Sequence, residues 1–189
     1  MKIDEFLSDY DFGARYDIQI SAPPSVVYER LLWLDFNEVW INRILETLRT
    51  GKLVSPSRAA ASLSQRLQGT GFVMLAEVPN EELLMGIAGR FWRPDGGRCL
   101  DLTAGDFVGF ARPGYAKVAW NFSLRADSSG ETVLSTETRT KCFGPAARWK
   151  FGIYWFLIYP FSGLIRKAIL NRVKSDAESV SSKLDTVNV

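Results

Sequence analysis

The most constraining feature of this chain is a long helical pattern over residues 144–175. The pattern is apolar on every side between residues 151 and 161, is interrupted by Pro160, and carries basic residues but no acidic ones. A helix that is apolar all round must be enclosed by protein or by lipid. The apolar run is shorter than the ~20 residues that a bilayer core requires, and it contains Pro160 and Gly163. We therefore expect a helix buried in protein rather than a transmembrane helix.

Pro160 predicts a kink in this helix. It removes the backbone donor to the Phe156 carbonyl, and its ring clashes with that turn. A bent helix could cover a cavity and continue along the edge of a sheet. With Gly163 nearby, the same bend could act as a hinge that admits a ligand.

The composition favours one well-buried domain that comprises residues 1–189, because 47% of the 189 residues are hydrophobic and 13% are aromatic. The formal net charge of +2 offers no global electrostatic case for nucleic-acid binding. Residues 1–10 carry three acidic side chains and lack the charged-then-apolar pattern of a signal peptide. We expect a cytoplasmic protein that does not bind nucleic acid.

The residue types present exclude several kinds of catalytic and cofactor site. The chain contains no histidine, which rules out Ser-His-Asp and Cys-His catalysis and zinc sites built on imidazole. Its two cysteines, Cys99 and Cys142, lie far apart and form no Cys-x-x-Cys motif. Since the chain also shows no glycine loop of the kind that cradles phosphate, we expect neither a metal nor a cofactor.

The first third of the chain predicts one strand followed by helices. Residues 15–21 alternate polar and apolar side chains, which is typical of a strand with one buried face. Residues 24–34 and 38–48 place apolar side chains three and four positions apart, which predicts two helices with a core face. A short helix with a serine cap is indicated over residues 58–67.

The rest of the chain, up to the C-terminal helix, predicts antiparallel strands. These predicted strands are residues 72–78, 82–88, 100–110, 115–125 and 132–142. The dipeptide Pro79-Asn80 separates the first two and indicates a hairpin, whereas residues 89–97 resemble a loop. In the last strand, Thr136, Thr138 and Thr140 share one face. If that face points inward, it is less apolar than a packed core requires, which is a hint of a cavity.

This order of elements resembles that of the START-like, or SRPBCC, superfamily, which includes polyketide cyclases, pollen allergens and lipid-transfer domains. The resemblance rests on Ile20-Ser21-Ala22-Pro23-Pro24-Ser25-Val26-Val27-Tyr28 at the start and Thr136-Glu137-Thr138-Arg139-Thr140 in the last strand. It is similar above all to bacterial members of unknown function, in which residues 82–92 and 155–166 have similar counterparts. The matching element order covers nearly the whole chain, although the motifs themselves are short.

The resemblance implies an α+β helix-grip fold of the order β-α-α-β(5-6)-α, in which a curved antiparallel sheet wraps around the long C-terminal helix. It also implies a cavity between sheet and helix that binds a hydrophobic or amphipathic molecule such as a lipid, isoprenoid or polyketide. The superfamily offers no common catalytic residue to carry over to this chain. Binding, with or without transport, is therefore the function that the resemblance favours.

Large apolar side chains and a few polar ones are the candidate ligand-binding residues, because aromatic rings offer broad apolar faces and polar groups orient a ligand. For any single aromatic residue, filling the core is the commoner role. The candidates are Trp33, Phe72, Met74, Arg90, Phe91, Trp92, Phe107, Trp120, Phe122, Thr136, Thr138, Tyr154, Trp155 and Tyr159.

An enzyme of the polyketide cyclase, aromatase or dehydratase type acting in the same cavity is an alternative. It would need a general base, for which Glu77, Asp106 and Glu137 are the carboxylates in or beside strands. Arg90 or Arg139 could hold an enolate or carboxylate. Strict alternation, however, places Glu137 and Arg139 on the outer face of the sheet, and no pair of carboxylates has a spacing that dictates such chemistry.

Two further hypotheses concern partners. The loop pair Phe91 and Trp92 could dock on another protein, because loops seldom carry such bulk without something to cover. Eight basic residues also occur between Thr138 and Ser175 without an acidic one: Arg139, Lys141, Arg148, Lys150, Arg166, Lys167, Arg172 and Lys174. This run suits a transient contact with an anionic membrane surface, where each nearby cation contributes about 1 kcal/mol. The sequence leaves the oligomeric state open.

Overall fold

The computed structural model describes residues 1–34, 71–93, 102–128 and 130–187, with side chains described up to Ser182. These ranges include the C-terminal helix and most of the predicted strands. The helices expected over residues 38–48 and 58–67 lie outside them, and so does Cys99.

In the described ranges, five strands form one antiparallel sheet. They are β1 (Phe12–Ile20), β2 (Val73–Val78), β3 (Glu82–Gly89), β4 (Ala116–Ala126) and β5 (Thr132–Cys142), in the spatial order β1-β5-β4-β3-β2. The hairpin predicted at Pro79-Asn80 is confirmed, and Asn80 adopts a positive φ of 64° there. The hairpin between β4 and β5 turns at Gly130, whose φ of 82° suits a residue without a Cβ.

Four described helices flank the sheet: α1 (Lys2–Phe6), α2 (Pro24–Trp33), α3 (Ala104–Gly109) and α4 (Pro145–Val187). The helix α4 crosses the face of the sheet formed by β1 and β5 and packs beside α2. We call this the inner face, and we call the opposite one, which α1 and α3 cover, the outer face. The structure thus confirms the α+β helix-grip fold class predicted from the sequence.

The prediction of a strand over residues 100–110 is wrong, because residues 104–109 form α3. A capping box starts this helix. The Thr103 hydroxyl accepts a hydrogen bond from the Asp106 amide at 3.1 Å, and the Asp106 carboxylate accepts one from the Thr103 amide at 2.9 Å. This reciprocal pair satisfies two backbone donors at a helix start, and it outweighs the weak strand pattern of the short apolar run.

Both faces of the sheet carry an apolar cluster. On the inner face, residues of α2 and α4 pack against β1, β3, β4 and β5, with Leu31, Met85, Phe122, Leu134 and Ile169 almost fully buried. On the outer face, the cluster consists of Ile3, Leu7, Leu75, Leu84, Phe107 and Ala119. Because both faces are covered, every residue of β3 is buried.

One side of α4 contradicts the expectation that residues 151–161 are enclosed. Phe151 is only 2% exposed, but Phe156 is 80% exposed, and Ile153, Leu157 and Phe161 are exposed as well. The physical reason is that the sheet can cover only one face of a helix that lies across it. Residues 145–182 form the one described helix that is long and apolar enough, by length and composition, to cross a bilayer. The helix continues through Pro160, and the hinge at this position stays a prediction.

A buried polar network attaches α1 to the outer face. The Glu82 carboxylate accepts hydrogen bonds from the backbone amides of Lys2 at 2.7 Å and Ile3 at 3.3 Å, and from the Asn121 side-chain nitrogen at 2.7 Å. The Asn121 side-chain oxygen in turn accepts from the Glu137 amide at 3.0 Å. A carboxylate at the start of a helix satisfies backbone donors that have no partner within the helix.

The substitution Glu82→Ala should lower the free energy of unfolding by about 2–3 kcal/mol, because it leaves the Asn121 side chain and the α1 amides buried without an acceptor. Urea unfolding followed by circular dichroism measures the change. The neighbouring Glu81→Ala is the matched control, since Glu81 is exposed and should have almost no effect. Equal losses in the two variants would contradict this account of how α1 is held.

Candidate ligand-binding site

The aromatic candidates fall into two groups on the inner side of the molecule. In the first group, Trp120 lies between Phe122 and Phe72, with ring centroids 5.2 and 6.0 Å apart, and Met74 packs against the same cluster. Phe122 is buried, whereas the other three remain partly exposed. An inner face with half-exposed aromatic side chains is a surface that a flat or apolar molecule could cover.

The second group surrounds Phe151 at the start of α4. Phe91 and Trp92 meet the Phe151 ring edge-on, with centroids 6.2 and 6.5 Å apart. Tyr154 and Trp155 contact the same ring at 5.7 and 5.9 Å. The two loop aromatics that could dock on a partner protein are therefore engaged, at least in part, by the chain itself.

Three candidates lie apart from these groups. Phe107 belongs to the outer cluster, where a Cβ on Gly86 would meet its ring at 2.7 Å. Trp33 is 55% exposed at the end of α2. The Arg90 guanidinium lies over the Tyr115 ring, with its carbon 4.4 Å from the centroid. The structure does not bring these three side chains to the region between β5 and α4.

The threonines of β5 face inward as predicted, and each makes a different contact. The Thr136 hydroxyl accepts from the Trp120 indole nitrogen at 2.7 Å and donates to the Asn121 carbonyl at 2.9 Å. The Thr138 hydroxyl accepts from a guanidinium nitrogen of Arg166, Nη2, at 2.7 Å. The hydroxyl of Thr140 is buried and has no hydrogen-bond partner among the described residues.

Arg166 on α4 is the charged group at the centre of this region, and only 8% of it is exposed. Its Nη1 donates to the Ser162 carbonyl at 3.2 Å and also to the Ser162 hydroxyl. Its Nε is buried without a partner, and no acidic side chain in the described ranges forms an ion pair with it. Burial lowers the pKa of Arg166 from its ordinary value, but an arginine stays charged at neutral pH.

Two tyrosines complete what we call the inner polar cluster: Arg166, Ser162, Thr138, Tyr16 and Tyr159. The Tyr16 and Tyr159 side chains are neighbours that influence each other electrostatically. Burial raises the pKa of Tyr16, the neighbouring Tyr159 hydroxyl raises it further, and the positive charge of Arg166 opposes both effects. The Trp155 ring packs at a tilt against the Tyr159 ring, with centroids 5.6 Å apart, which links the cluster to the second aromatic group.

The carboxylates considered as general bases lie elsewhere. Glu77 accepts a hydrogen bond from the Tyr28 hydroxyl at 2.7 Å. Asp106 caps α3. On the outer face, as alternation predicts, Glu137 is 2.6 Å from Nε of Arg139, whose Nη2 is 2.8 Å from Asp4 in α1. None of these three carboxylates is paired with Arg166.

Sequence reasoning counted Arg166 only within a basic run and did not select Tyr16 at all. A signal for Arg166 was present, because it lies three, four and seven positions before Ile169, Leu170 and Val173, all of which are buried. Residues at these spacings share one face of a helix. A polar residue within the apolar stripe of α4 therefore had to point toward the sheet.

Comparisons with known proteins yield similar structures only. Neither a comparison with models of protein families nor one with curated proteins finds a match. A solved structure from Nitrosospira multiformis has a TM-score of 0.46 and 10% identity, with 90% of this chain and 99% of the other covered. One from Mesorhizobium loti has a TM-score of 0.37 and 15% identity, covering 86% and 96%. One from Thermus thermophilus has a TM-score of 0.35 and 10% identity, covering 90% and 99%.

Gly163 permits the close approach of α4 to Tyr16, since a Cβ there would lie 2.6 Å from the Tyr16 hydroxyl oxygen. Gly163→Ala should displace that hydroxyl and destabilise the protein by about 1–3 kcal/mol, because overpacking outweighs the better helix propensity of alanine. Thermal unfolding measures the effect.

Gly152→Ala is the matched control on the same helix. A Cβ at Gly152 meets only the Phe12 ring at 3.5 Å, an ordinary contact. This variant should be more stable than the wild type by about 0.5–1 kcal/mol, because alanine has the better helix propensity. An equal increase in stability for Gly163→Ala would show that Tyr16 is not held tightly against α4.

Proposed function

We propose that this protein binds an amphipathic small molecule, such as a lipid, isoprenoid or polyketide, between the inner face of the sheet and α4, and that it does so in the cytoplasm. The observation that carries the proposal is the inner polar cluster beside half-exposed aromatic side chains. A purely structural interface between a sheet and a helix would be expected to be uniformly apolar. The resemblance to the START-like superfamily supports the same function.

The apolar side of the site supplies the affinity in this proposal. Phe72, Met74, Trp120 and Ile165 pack against the inner cluster while remaining partly exposed. Covering 200 Å² of such surface would stabilise a complex by about 5 kcal/mol, at about 25 cal/mol per Å². The cost of immobilising the ligand reduces this gain, so polar contacts are needed for both affinity and orientation.

Binding is favoured over an enzymatic function. The cluster offers hydroxyl groups and one guanidinium, but the carboxylates considered as general bases are engaged elsewhere. Tyr16, whose pKa is raised, stays protonated at neutral pH and so cannot serve there as a general base. These groups are suited to ligand binding rather than to proton transfer.

We also propose that the ligand is collected at an anionic membrane surface. The exposed stripe of α4 consists of Trp149, Ile153, Phe156, Leu157, Phe161 and Leu164. These positions lie on one side of the helix and extend over about 22 Å, at 1.5 Å per residue. Exposed Arg148, Lys150 and Lys167 flank its two ends. Aromatic and aliphatic side chains bordered by cations are typical of helices that lie in a membrane interface.

The opposite side of α4 determines how the helix would meet the bilayer. Because Ile169, Leu170 and Val173 are buried against the rest of the domain, lipid could not surround this helix while the fold is intact. The helix α4 is long and apolar enough to cross a bilayer, but we propose that it lies along the bilayer surface. That orientation would bring Pro160 near the lipid.

Ligand binding is tested by native mass spectrometry of the protein purified without detergent, followed by organic extraction of any adduct. We expect a bound amphiphile, and we expect Trp120→Ala to weaken rebinding of that molecule at least tenfold, because the variant removes apolar contact and a hydrogen bond to Thr136. The control is Val108→Ala, an exposed apolar residue of α3. Unchanged affinity in Trp120→Ala would contradict the proposed location of the site.

Membrane contact is tested by sedimentation with vesicles of phosphatidylcholine, with and without one third phosphatidylglycerol. Binding should require the anionic lipid, weaken as salt is raised, and fall at least tenfold in the double variant Phe156→Ser, Leu157→Ser. Val108→Ser is the control for loss of an exposed apolar side chain. If the wild-type protein does not bind the anionic vesicles, the stripe has another occupant, such as a second copy or another part of this chain.

A further inference from the structure

We infer that Arg166 anchors an anionic head group, so that the ligand is an amphiphile ending in a carboxylate or a phosphate monoester. The inference rests on the proposed function and names the chemical class of its ligand. The acidic group would bind side-on to Nε and Nη2 of Arg166, which point toward the same edge of the planar guanidinium.

The donors of Arg166 show where an anion would bind. A guanidinium has five N–H donors. Nη1 uses its two on the Ser162 carbonyl and hydroxyl, and Nη2 uses one on the Thr138 hydroxyl. The N–H of Nε has no partner in the described structure, and Thr138 is the one hydrogen-bond acceptor given for Nη2 among the described residues. The Nε and Nη2 edge of a guanidinium matches the two oxygens of a carboxylate or phosphate.

The charge of Arg166 gives the second argument. A buried cation without a counter-ion costs several kcal/mol, because the interior replaces water poorly as a solvent for charge. The titratable groups that influence it are Tyr16 and Tyr159, which are phenols and not carboxylates. On β5, by contrast, Arg139 and Lys141 each have a carboxylate partner. Arg166, in contrast, has no carboxylate partner among the described residues.

The surroundings add a further unpaired group. Thr140 occupies the inward position next to Thr138 on β5, about 7 Å along the strand, and its buried hydroxyl lacks a partner among the described residues. Tyr16 on β1 pairs with Thr136, the inward neighbour of Thr138 in the opposite direction along β5, and Tyr159 of α4 lies beside Tyr16. An anion between these elements would find hydroxyl donors in addition to the guanidinium.

Entry of the ligand requires local movement of α4, because Nε is closed off from solvent. Pro160 lies six residues before Arg166 and cannot donate to the Phe156 carbonyl. The turn that contains Tyr159 therefore has one backbone hydrogen bond fewer than its neighbours. Tyr159 is 45% exposed, so its side chain could move aside without leaving a packed core.

The test uses matched ligands that differ only in their head group. The delipidated protein is titrated calorimetrically with dodecanoate, dodecyl phosphate and dodecanol, and with acetate and inorganic phosphate. Wild-type protein should bind the two long-chain anions 10- to 100-fold more tightly than dodecanol, as the loss of a charge-assisted contact predicts. Arg166→Gln should abolish this preference and leave dodecanol binding unchanged, which also shows that the variant is folded.

Two further variants separate the charge from its geometry. Arg166→Lys keeps the charge without the paired donors and should retain only part of the preference. Arg172→Gln is the matched control, because Arg172 is an exposed arginine of the same helix that pairs with Asp176. It should behave as wild type.

The outcomes distinguish the inference from the proposed function. Equal binding of dodecanol and the long-chain anions by wild-type protein would overturn the anchor and leave amphiphile binding intact. Inorganic phosphate that binds as tightly as dodecyl phosphate would indicate a site for free anions and overturn the amphiphile. Failure of all three long-chain ligands to bind would overturn the proposed function and the inference together.

Thermal unfolding of ligand-free Arg166→Met gives a test that needs no ligand. If Arg166 serves to bind an anionic ligand and is unpaired without it, replacing it by an apolar side chain should leave the melting temperature unchanged or raise it, as for other buried charges. A fall of about 10 °C or more would show that Arg166 holds α4 to β5 as a structural bridge, and would overturn the inference.

Discussion

The packing of α4 across β1 and β5 is the interaction on which the other features depend. It buries one side of the helix, with Ile169 and Val173 fully enclosed, and this burial is the main source of stability for an amphipathic helix. The same contact carries Arg166 to the inner face of the sheet. It also leaves the opposite side of the helix, including Phe156, without cover from the described sheet. A buried cation and an exposed apolar stripe are thus two consequences of a single packing arrangement.

The two faces of the sheet differ in the partners of their buried charged groups. On the outer face, the carboxylates of Glu82 and Glu137 have partners in Asn121, Arg139 and the start of α1, and the buried Lys117 donates to two backbone carbonyls of α3. On the inner face, Arg166 is surrounded by hydroxyl groups. Buried polar groups that are left unpaired are costly, and they persist more readily where a ligand completes them. This difference is a reason to propose the inner face as the place where a ligand binds.

Much of the fold could be predicted because strands and amphipathic helices leave a local periodic signal. The alternation in β1, β4 and β5 correctly placed their inward residues, and the hairpin at Pro79-Asn80 followed from its turn residues. The prediction of a strand over residues 104–109 was wrong because a capping box of four residues, from Thr103 to Asp106, starts a helix there despite the short apolar run. In the candidate site, the sequence correctly predicted the inward threonines of β5. It grouped Phe107 with them, however, although Phe107 lies on the outer face of the sheet.

The sequence by itself determined which residues alternate, which form helices and where the chain turns, because these properties depend on neighbours a few positions away. It also determined that α4 is apolar with isolated cations. Only the tertiary structure decided which side of α4 the sheet covers, that α1 and α3 cover the outer face, and that Arg166 meets Thr138, 28 residues away along the chain. Such pairings depend on how distant elements stack, and the apolar pattern of one element permits many stacking partners with similar burial.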